Sequence, residues 1–234
     1  MILVKNLSIV IPVYNENDNI RKLIPLISKY IKSNNNEIII IDDKSNDNIS
    51  CTAKILKKKN FNNLKLIIRE SAHKDLSQSC ILGFENAKYN KILVMDGDMQ
   101  HHPRFIFGLY KKFIKDECDI VIGSRKFNSS NSMPKFRKII SRFINLIINF
   151  FFGKNISDPL SGFFIFKKEI YYENKKRLFA KGYKILLDLI YSSNKKLKIK
   201  EKEIVFYKRH YGQSKINIKV IIYFFLFFIK RMTN

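Results

Sequence analysis

KILVMDGDMQHHP, Lys91 to Pro103, is the stretch on which the fold of this chain turns. Four apolar residues, Ile92 to Met95, run straight into two aspartates one residue apart, with Gln100 two further on. A short apolar run bounded by polar residues reads as a fully buried strand. Carboxylates at the carboxyl end of such a strand stand where open α/β sheets bind ligands. Asp96, Asp98 and Gln100 offer only hard oxygen ligands, which suit magnesium or manganese shared with a phosphorylated substrate rather than zinc. Gly97 between them lets the backbone approach a ligand closely.

Working outward, the first 125 residues alternate in type. Apolar strands read at Leu7–Val13, Glu37–Ile41, Leu64–Ile68, Lys91–Met95 and Asp119–Ile122, with helical patterns near Asp18–Lys32, Asn48–Lys58, Asp75–Lys88 and Pro103–Lys115. That alternation predicts βαβ units, right-handed crossovers and a mostly parallel sheet. The strands are continuously apolar, as expected when helices cover both faces. Three of them end in polar clusters: Tyr14-Asn15-Glu16, Asp42-Asp43 and Asp96-Gly97-Asp98. A parallel sheet puts all three on one edge, around a nucleotide-sized crevice. No GxGxxG follows the first strand and no GxxxxGK[ST] occurs, so dinucleotide and P-loop chemistry are poor fits.

Composition bounds the rest. A chain of 234 residues makes one domain with a substantial core, or one domain with an appendage. Its formal net charge of +24 suits anionic lipid headgroups, phosphorylated small molecules or nucleic acid. Lys, Asn, Ile and Phe are abundant together, so base composition of the gene is a second source of that charge. No zinc module, RNP-type strand or recognition helix supports nucleic acid, which is set aside as a partner. Cys51, Cys80 and Cys118 are odd in number and lack CxxC spacing, which fits a reducing compartment and core thiols. His101 and His102 are adjacent and so point apart. The chain enters directly into a strand-like LSIVIPVY, and no cleavable leader is expected.

After Arg125 the character changes. Pro134–Phe152 has apolar residues at helical spacing, with Lys135, Arg137, Lys138 and Arg142 crowding its first half. Lys215–Arg231 repeats the arrangement around VIIYFFLFFI, Val220–Ile229. Ten residues of helix span about 15 Å, half a bilayer core, so that run is too short to cross a membrane alone but long enough to lie on one. Each helix reads as interfacial or as an ordinary core helix. The expected division is a catalytic domain over 1–214, containing the 134–152 interface helix, and an amphipathic membrane-surface helix over 215–234.

These residues carry a resemblance. IVIPVYNENDNI, EIIIIDDKSNDN, ILVMDGDMQHHP, DIVIGSRKF, Arg137 with Ser141-Arg142, SDPLSGFFIFKKE, GYKILLDL and YKRHYGQSK follow in order over nearly the whole chain. Together they resemble family 2 inverting glycosyltransferases of the GT-A fold, within them the dolichyl- or polyprenyl-phosphate mannose synthases. The resemblance implies a Rossmann-like, mostly parallel α/β sheet with C-terminal interface helices. It implies that Pro12, Tyr14 and Glu16 line the nucleotide site and that Ile41 and Asp43 contact base and ribose. Asp96, Asp98 and Gln100 would hold Mg2+ or Mn2+ against the diphosphate, with Gly97 at the donor. Arg125, Arg209 and Lys215 would contact phosphates, and Arg137 with Ser141 the acceptor phosphate. Asp96, Asp98 and Arg125 are the catalytic set. Three departures stand out: Gly97 where the family usually has Ala, Lys44 where it has Gly, and His102-Pro103-Arg104 where it has Pro-Pro-Glu.

The implied reaction moves mannose from GDP-mannose to a polyprenyl or dolichyl phosphate, peripherally on the cytoplasmic membrane face. A separate membrane-anchoring subunit is a compatible partner. The alternative uses a UDP-sugar (glucose or N-acetylhexosamine), onto polyprenyl phosphate or a cell-surface glycan hydroxyl. A phosphate acceptor is already an anion near pH 7, its second pKa being about 6, and needs no strong base. A hydroxyl acceptor would need one, most plausibly a carboxylate in or near Asp158, although Asp158 itself reads as fixing a turn before Pro159. Asp42-Asp43 also suits a helix cap, and Arg125 and Arg137 also suit solvated surface charges. A catalytically idle, membrane-bound subunit is the other class of reading, against which the intact metal triad argues.

Overall fold

A computed structural model describes residues 3–31, 35–59, 61, 63–71, 73–125, 156–182, 185–207 and 226. The helix readings at 134–152 and 215–234 fall outside the described residues, apart from Leu226. The strands are β1 (Leu7–Val13), β2 (Asn36–Asp42), β3 (Leu64–Ile68), β4 (Lys91–Met95), β5 (Ile120–Arg125), β6 (Phe163–Lys167) and β7 (Ile199–Ile204). The helices are α1 (Asn17–Tyr30), α2 (Ile49–Lys58), α3 (Leu76–Asn86), α4 (Ile106–Lys115), α5 (Lys168–Asn174) and α6 (Ile185–Ser192). Pro103–Phe105 forms a single 3-10 turn ahead of α4, so the long helix expected from Pro103 begins three residues late. None of the described helices is long and apolar enough to cross a membrane.

One sheet runs in the order β3-β2-β1-β4-β6-β5-β7. β1, β2, β3 and β4 are mutually parallel, and β5 is parallel to β7. β6 is antiparallel to both its neighbours, β4 and β5. Six strands therefore point one way and β6 the other, and the mostly parallel sheet expected from the alternation is what forms. The sequence reading assigned no strand to β6 or β7 and no helix to α5 or α6. β6 lay inside a motif quoted for its chemistry. β7, IKEKEI, reads as polar because it is an edge strand, where lysines and glutamates also discourage pairing with another chain.

Alternation of side chains makes two cores. Ile9, Ile11 and Val13 pack with α1 and α4 on one face, while Val10, Ile39 and Ile41 pack with α3 and α6 on the other. α1 buries Ile20, Leu23, Ile24 and Ile27, a single stripe at helical spacing that outweighs Pro25 in its middle. Cys80 and Cys118 are buried as expected, but Cys51 is exposed, because it sits on the outward face of α2.

Glu37 pins the sheet edge opposite the crevice. Ser8 Oγ donates to it at 2.6 Å, the Lys88 amide also donates, and Lys65 Nζ lies 2.9 Å away. Burial opposes its charge, but these donors outweigh that and hold the carboxyl below its ordinary 4.5. The unfolded chain then takes up the proton first, so this stability is present above pH 4.5 and is lost as pH falls through the lower folded value. Glu37→Gln is expected to destabilise the fold at neutral pH by about 1–3 kcal/mol. It should also shallow the acid limb of a stability-versus-pH curve measured by urea unfolding; an unchanged limb would refute this assignment.

Candidate active site

A parallel strand delivers its last residue, and an antiparallel neighbour its first, to the same edge. The ends of β1, β2, β4, β5 and β7 therefore meet the start of β6 there. Register sets the detail: Met95 lies opposite Phe163, which brings Gly162 beside Asp96. A Cβ on Gly162 would stand 2.2 Å from Asp96 Oδ2 and 2.5 Å from its Cγ. Only glycine lets the carboxylate lie there. Asp96 retains 34% side-chain exposure, and His101 Nε2 stands 3.6 Å from its Oδ2.

Residues 96–100 fold back on themselves. Asp98 is buried, and its Oδ1 accepts from the Gln100 amide at 3.0 Å across Met99, whose φ of 64° makes the turn left-handed. Gln100 Nε2 donates to the Tyr207 carbonyl at 3.3 Å, and Tyr207 N returns a bond to the Gln100 carbonyl at 3.0 Å. The loop is thus tied to the end of β7. Since the Gln100 amide nitrogen is engaged, its amide oxygen is the end left for a cation. Among the described residues no three His, Cys, Asp or Glu converge into a metal cluster. Two carboxylates and an amide oxygen are hard donors that fit a divalent cation of the magnesium type, which keeps waters and takes substrate phosphates as its other ligands.

Gly97 has a packing reason beside the one expected. A Cβ there would fall 2.7 Å from Val13 Cγ1. Val13 is β-branched and stiff, so the glycine answers a packing demand from β1. Lys44, another departure, has φ 56°, in the region where glycine is free of strain.

At the β1–β2 end of this edge, Lys74 Nζ lies 4.6 Å from the Tyr14 ring centroid and donates to the carbonyls of Asp43 and Lys44, at 2.5 and 2.8 Å. Asp43 Oδ1 accepts from Arg69 Nε and an Arg69 terminal nitrogen at 2.9 and 2.6 Å, and Oδ2 accepts from the Asp75 amide at 2.7 Å. Asp42 carries the local turn instead, accepting from the Ser45 amide at 3.1 Å. Glu16 Oε2 accepts from Asn19 Nδ2 at 2.5 Å. Pro12 and Ile41 pair across β1 and β2, and Ile41 is fully buried, so only its backbone faces the edge. Arg69 and Lys74 were not foreseen. They lie in a loop with no motif, and only the fold brings them to Asp43 and Tyr14.

Arg125, the last residue of β5, is not a solvated surface charge. Its Nε and one terminal nitrogen each donate to Asp158 at 2.6 Å, with the Arg125 amide on the same carboxylate at 3.2 Å. Asp158 is fully buried, and Arg125 is 17% exposed. Burial opposes the guanidinium charge, but Asp158, and behind it Asp96, raise its pKa above the ordinary value. Asp158 does close the expected turn, through the Ser161 amide at 3.2 Å. It also carries an ion pair that the sequence reading did not assign. Arg137, Ser141, Arg209 and Lys215 lie outside the described residues.

A family model described as glycosyl transferase family 2 matches residues 8–174. The chain belongs to that family. Dolichol-phosphate mannosyltransferases are among its relatives. The protein of that name from Pyrococcus furiosus is 35% identical, over 92% of this chain and 60% of its own length. The one from Mycosarcoma maydis is 31% identical, over 92% of this chain and 74% of its own length. This chain thus spans about three fifths of the Pyrococcus relative. Glucosyl-3-phosphoglycerate synthase from Mycobacterium tuberculosis, solved with Mn2+, UDP-glucose and glycerol 3-phosphate, superposes with a TM-score of 0.72. It is 17% identical, over 95% of this chain and 79% of that one. The same enzyme with Mg2+ and UDP gives 0.70 at 17%, over 89% and 73%. At that identity the likeness is one of fold, and the fold is GT-A.

Two substitutions test this geometry. Gly97→Ala and Val13→Ala are each expected to cost about 1–3 kcal/mol, one by overpacking and one by a cavity. Their double mutant should cost clearly less than the sum, read from a double-mutant cycle in urea; simple additivity would mean that the two do not meet. Asp158→Asn leaves a largely buried guanidinium without its counter-charge and should cost about 3–5 kcal/mol, measured the same way.

Proposed function

We propose that this chain is an inverting, metal-dependent glycosyltransferase that moves mannose from GDP-mannose onto a polyprenyl phosphate at the cytoplasmic face of a membrane. The observation that carries this reading is the crevice edge itself, where the partly exposed Asp96 carboxylate stands near the buried Arg125–Asp158 pair. That arrangement offers a carboxylate for a cation and a fixed guanidinium for a phosphate. Asp158, the carboxylate a hydroxyl acceptor would call on, is fully buried and committed to Arg125. A phosphate acceptor asks for no base, since it is ionised near neutral pH.

In this reading Tyr14, Glu16 and Asp43 receive the nucleoside, with Asp43 oriented by Arg69 and the Asp75 amide. Asp96, Asp98 and Gln100 hold Mg2+ or Mn2+. When bound, the cation supplies positive charge to the diphosphate as negative charge grows on the leaving group. Arg125, fixed by Asp158, adds a second positive field that does not need to reorganise during the reaction. Attack from the face opposite the nucleotide inverts the anomeric centre. Residues 134–152 and 215–234 enter as membrane-surface helices on their sequence pattern, and Arg137, Ser141, Arg209 and Lys215 as phosphate contacts on the resemblance. The names of the relatives support a lipid-phosphate acceptor.

Purified chain, radiolabelled GDP-mannose, polyprenyl phosphate and Mn2+ should yield a chloroform-soluble labelled product. Asp96→Asn and Asp98→Asn should each lower the rate about 10²–10³-fold, as for loss of a preorganised electrostatic group. Product from a UDP-sugar alone would move the donor assignment to the alternative. No lipid product with any nucleotide sugar would overturn the reading.

A further inference from the structure

His101 belongs to none of the roles above, yet it is among the most confined polar side chains at the crevice edge. It is 2% exposed. Its ring stacks on Phe163 with centroids 5.2 Å apart and planes at 23°, and meets Phe206 edge-on at 5.1 Å and 67°. The backbone adds a bridge between His101 and Phe206. The imidazole therefore cannot swing away without breaking two aromatic contacts.

Its two nitrogens are in unequal surroundings. Nδ1 is buried without a hydrogen-bond partner among the described residues, whereas Nε2 stands 3.6 Å from Asp96 Oδ2. A neutral imidazole has one N–H and one lone pair to distribute. With the proton on Nδ1, a buried donor would be left unpaired and a lone pair would face a carboxylate. With the proton on Nε2, the N–H points at Asp96 and only an acceptor is left over. Buried orphan N–H groups are rarer than under-satisfied acceptors, so the second tautomer is favoured. At 3.6 Å the contact is electrostatic and longer than a hydrogen bond. Bonds of this kind commonly tighten when the ligand arrives.

We propose that His101 is a positioning residue for Asp96. The Nε2–H on one side and the bare Cα of Gly162 on another hold the carboxylate in the orientation that receives the divalent cation. Carboxylates that ligate metals are themselves held by neighbouring donors, and loss of such a donor typically weakens binding about 10–100-fold. The inference rests on the metal-site reading of Asp96 given above.

His101→Phe keeps an aromatic ring between Phe163 and Phe206 but removes the N–H. His101→Gln keeps an N–H near the place of Nε2 but removes the ring. Mn2+ alone, titrated and followed by electron paramagnetic resonance, should bind about 10–100-fold more weakly to His101→Phe, with its thermal midpoint close to the parent's. His101→Gln should recover most of the affinity even where its thermal midpoint is lower. Mn2+ affinity in His101→Phe equal to the parent's, or loss in both variants that tracks thermal stability, would overturn the positioning role. Asp96→Asn, titrated alongside, separates the two claims: undiminished Mn2+ binding there would sink the metal site itself, whereas its loss beside a normal His101→Phe sinks only the role of His101.

Discussion

The pairing of Met95 with Phe163 is the constraint on which this site depends. Among the described strands β6 alone runs against the others, and it is wedged between β4 and β5. Because it starts where its neighbours end, residues 156–162 arrive at the ligand edge although they are distant in sequence from Asp96. A one-residue slip would turn every β6 side chain to the opposite face and move Gly162 away from Asp96. Phe163, Phe164 and Phe166 are fully buried between the two helical layers, so such a slip carries a heavy hydrophobic cost. The same registry brings Asp158 under Arg125 and Phe163 under His101.

Charge around the crevice is organised by pairing. Asp43 is held by Arg69 and Arg125 by Asp158, each at hydrogen-bond distance. Buried pairs of this kind add little net stability over apolar residues, but breaking one is costly, so they hold geometry more than they add energy. Asp96 differs, being partly exposed and placed beside a glycine rather than under an arginine. That contrast separates two carboxylates held by arginines from one set beside a bare glycine. Lys74 places its ammonium over Tyr14 and on the carbonyls of Asp43 and Lys44.

Much of this was legible beforehand, and the misses have physical reasons. β1, β3 and β4 have the bounds expected of them, because a buried parallel strand is a continuous apolar run whose ends are sharp. β5 was expected to stop at Ile122 but extends to Arg125. Its polar end, Gly-Ser-Arg, pairs with β7, and that partner was invisible as a strand. Gly97 was read as making room for a ligand, and the room it makes for Val13 was not foreseen. No local pattern reports that contact, since Val13 and Gly97 are far apart in the chain. Lys44 was noted only as standing where the resembling family has Gly; its positive φ appears once the turn after β2 is built.

The sequence by itself determined the α/β class, the direction of most of the sheet, and the gathering of three polar strand ends on one edge. Hydrophobic periodicity and chain order are local properties and suffice for that. It also named the hard-oxygen set Asp96, Asp98 and Gln100, because their spacing after one strand is again local. Tertiary structure decided which charged groups are spent on each other, why Gly162 must lack a side chain, and that His101 faces Asp96 from between two phenylalanines. Those facts arise where an antiparallel strand meets parallel neighbours, and they depend on register across the sheet, which no window of sequence contains.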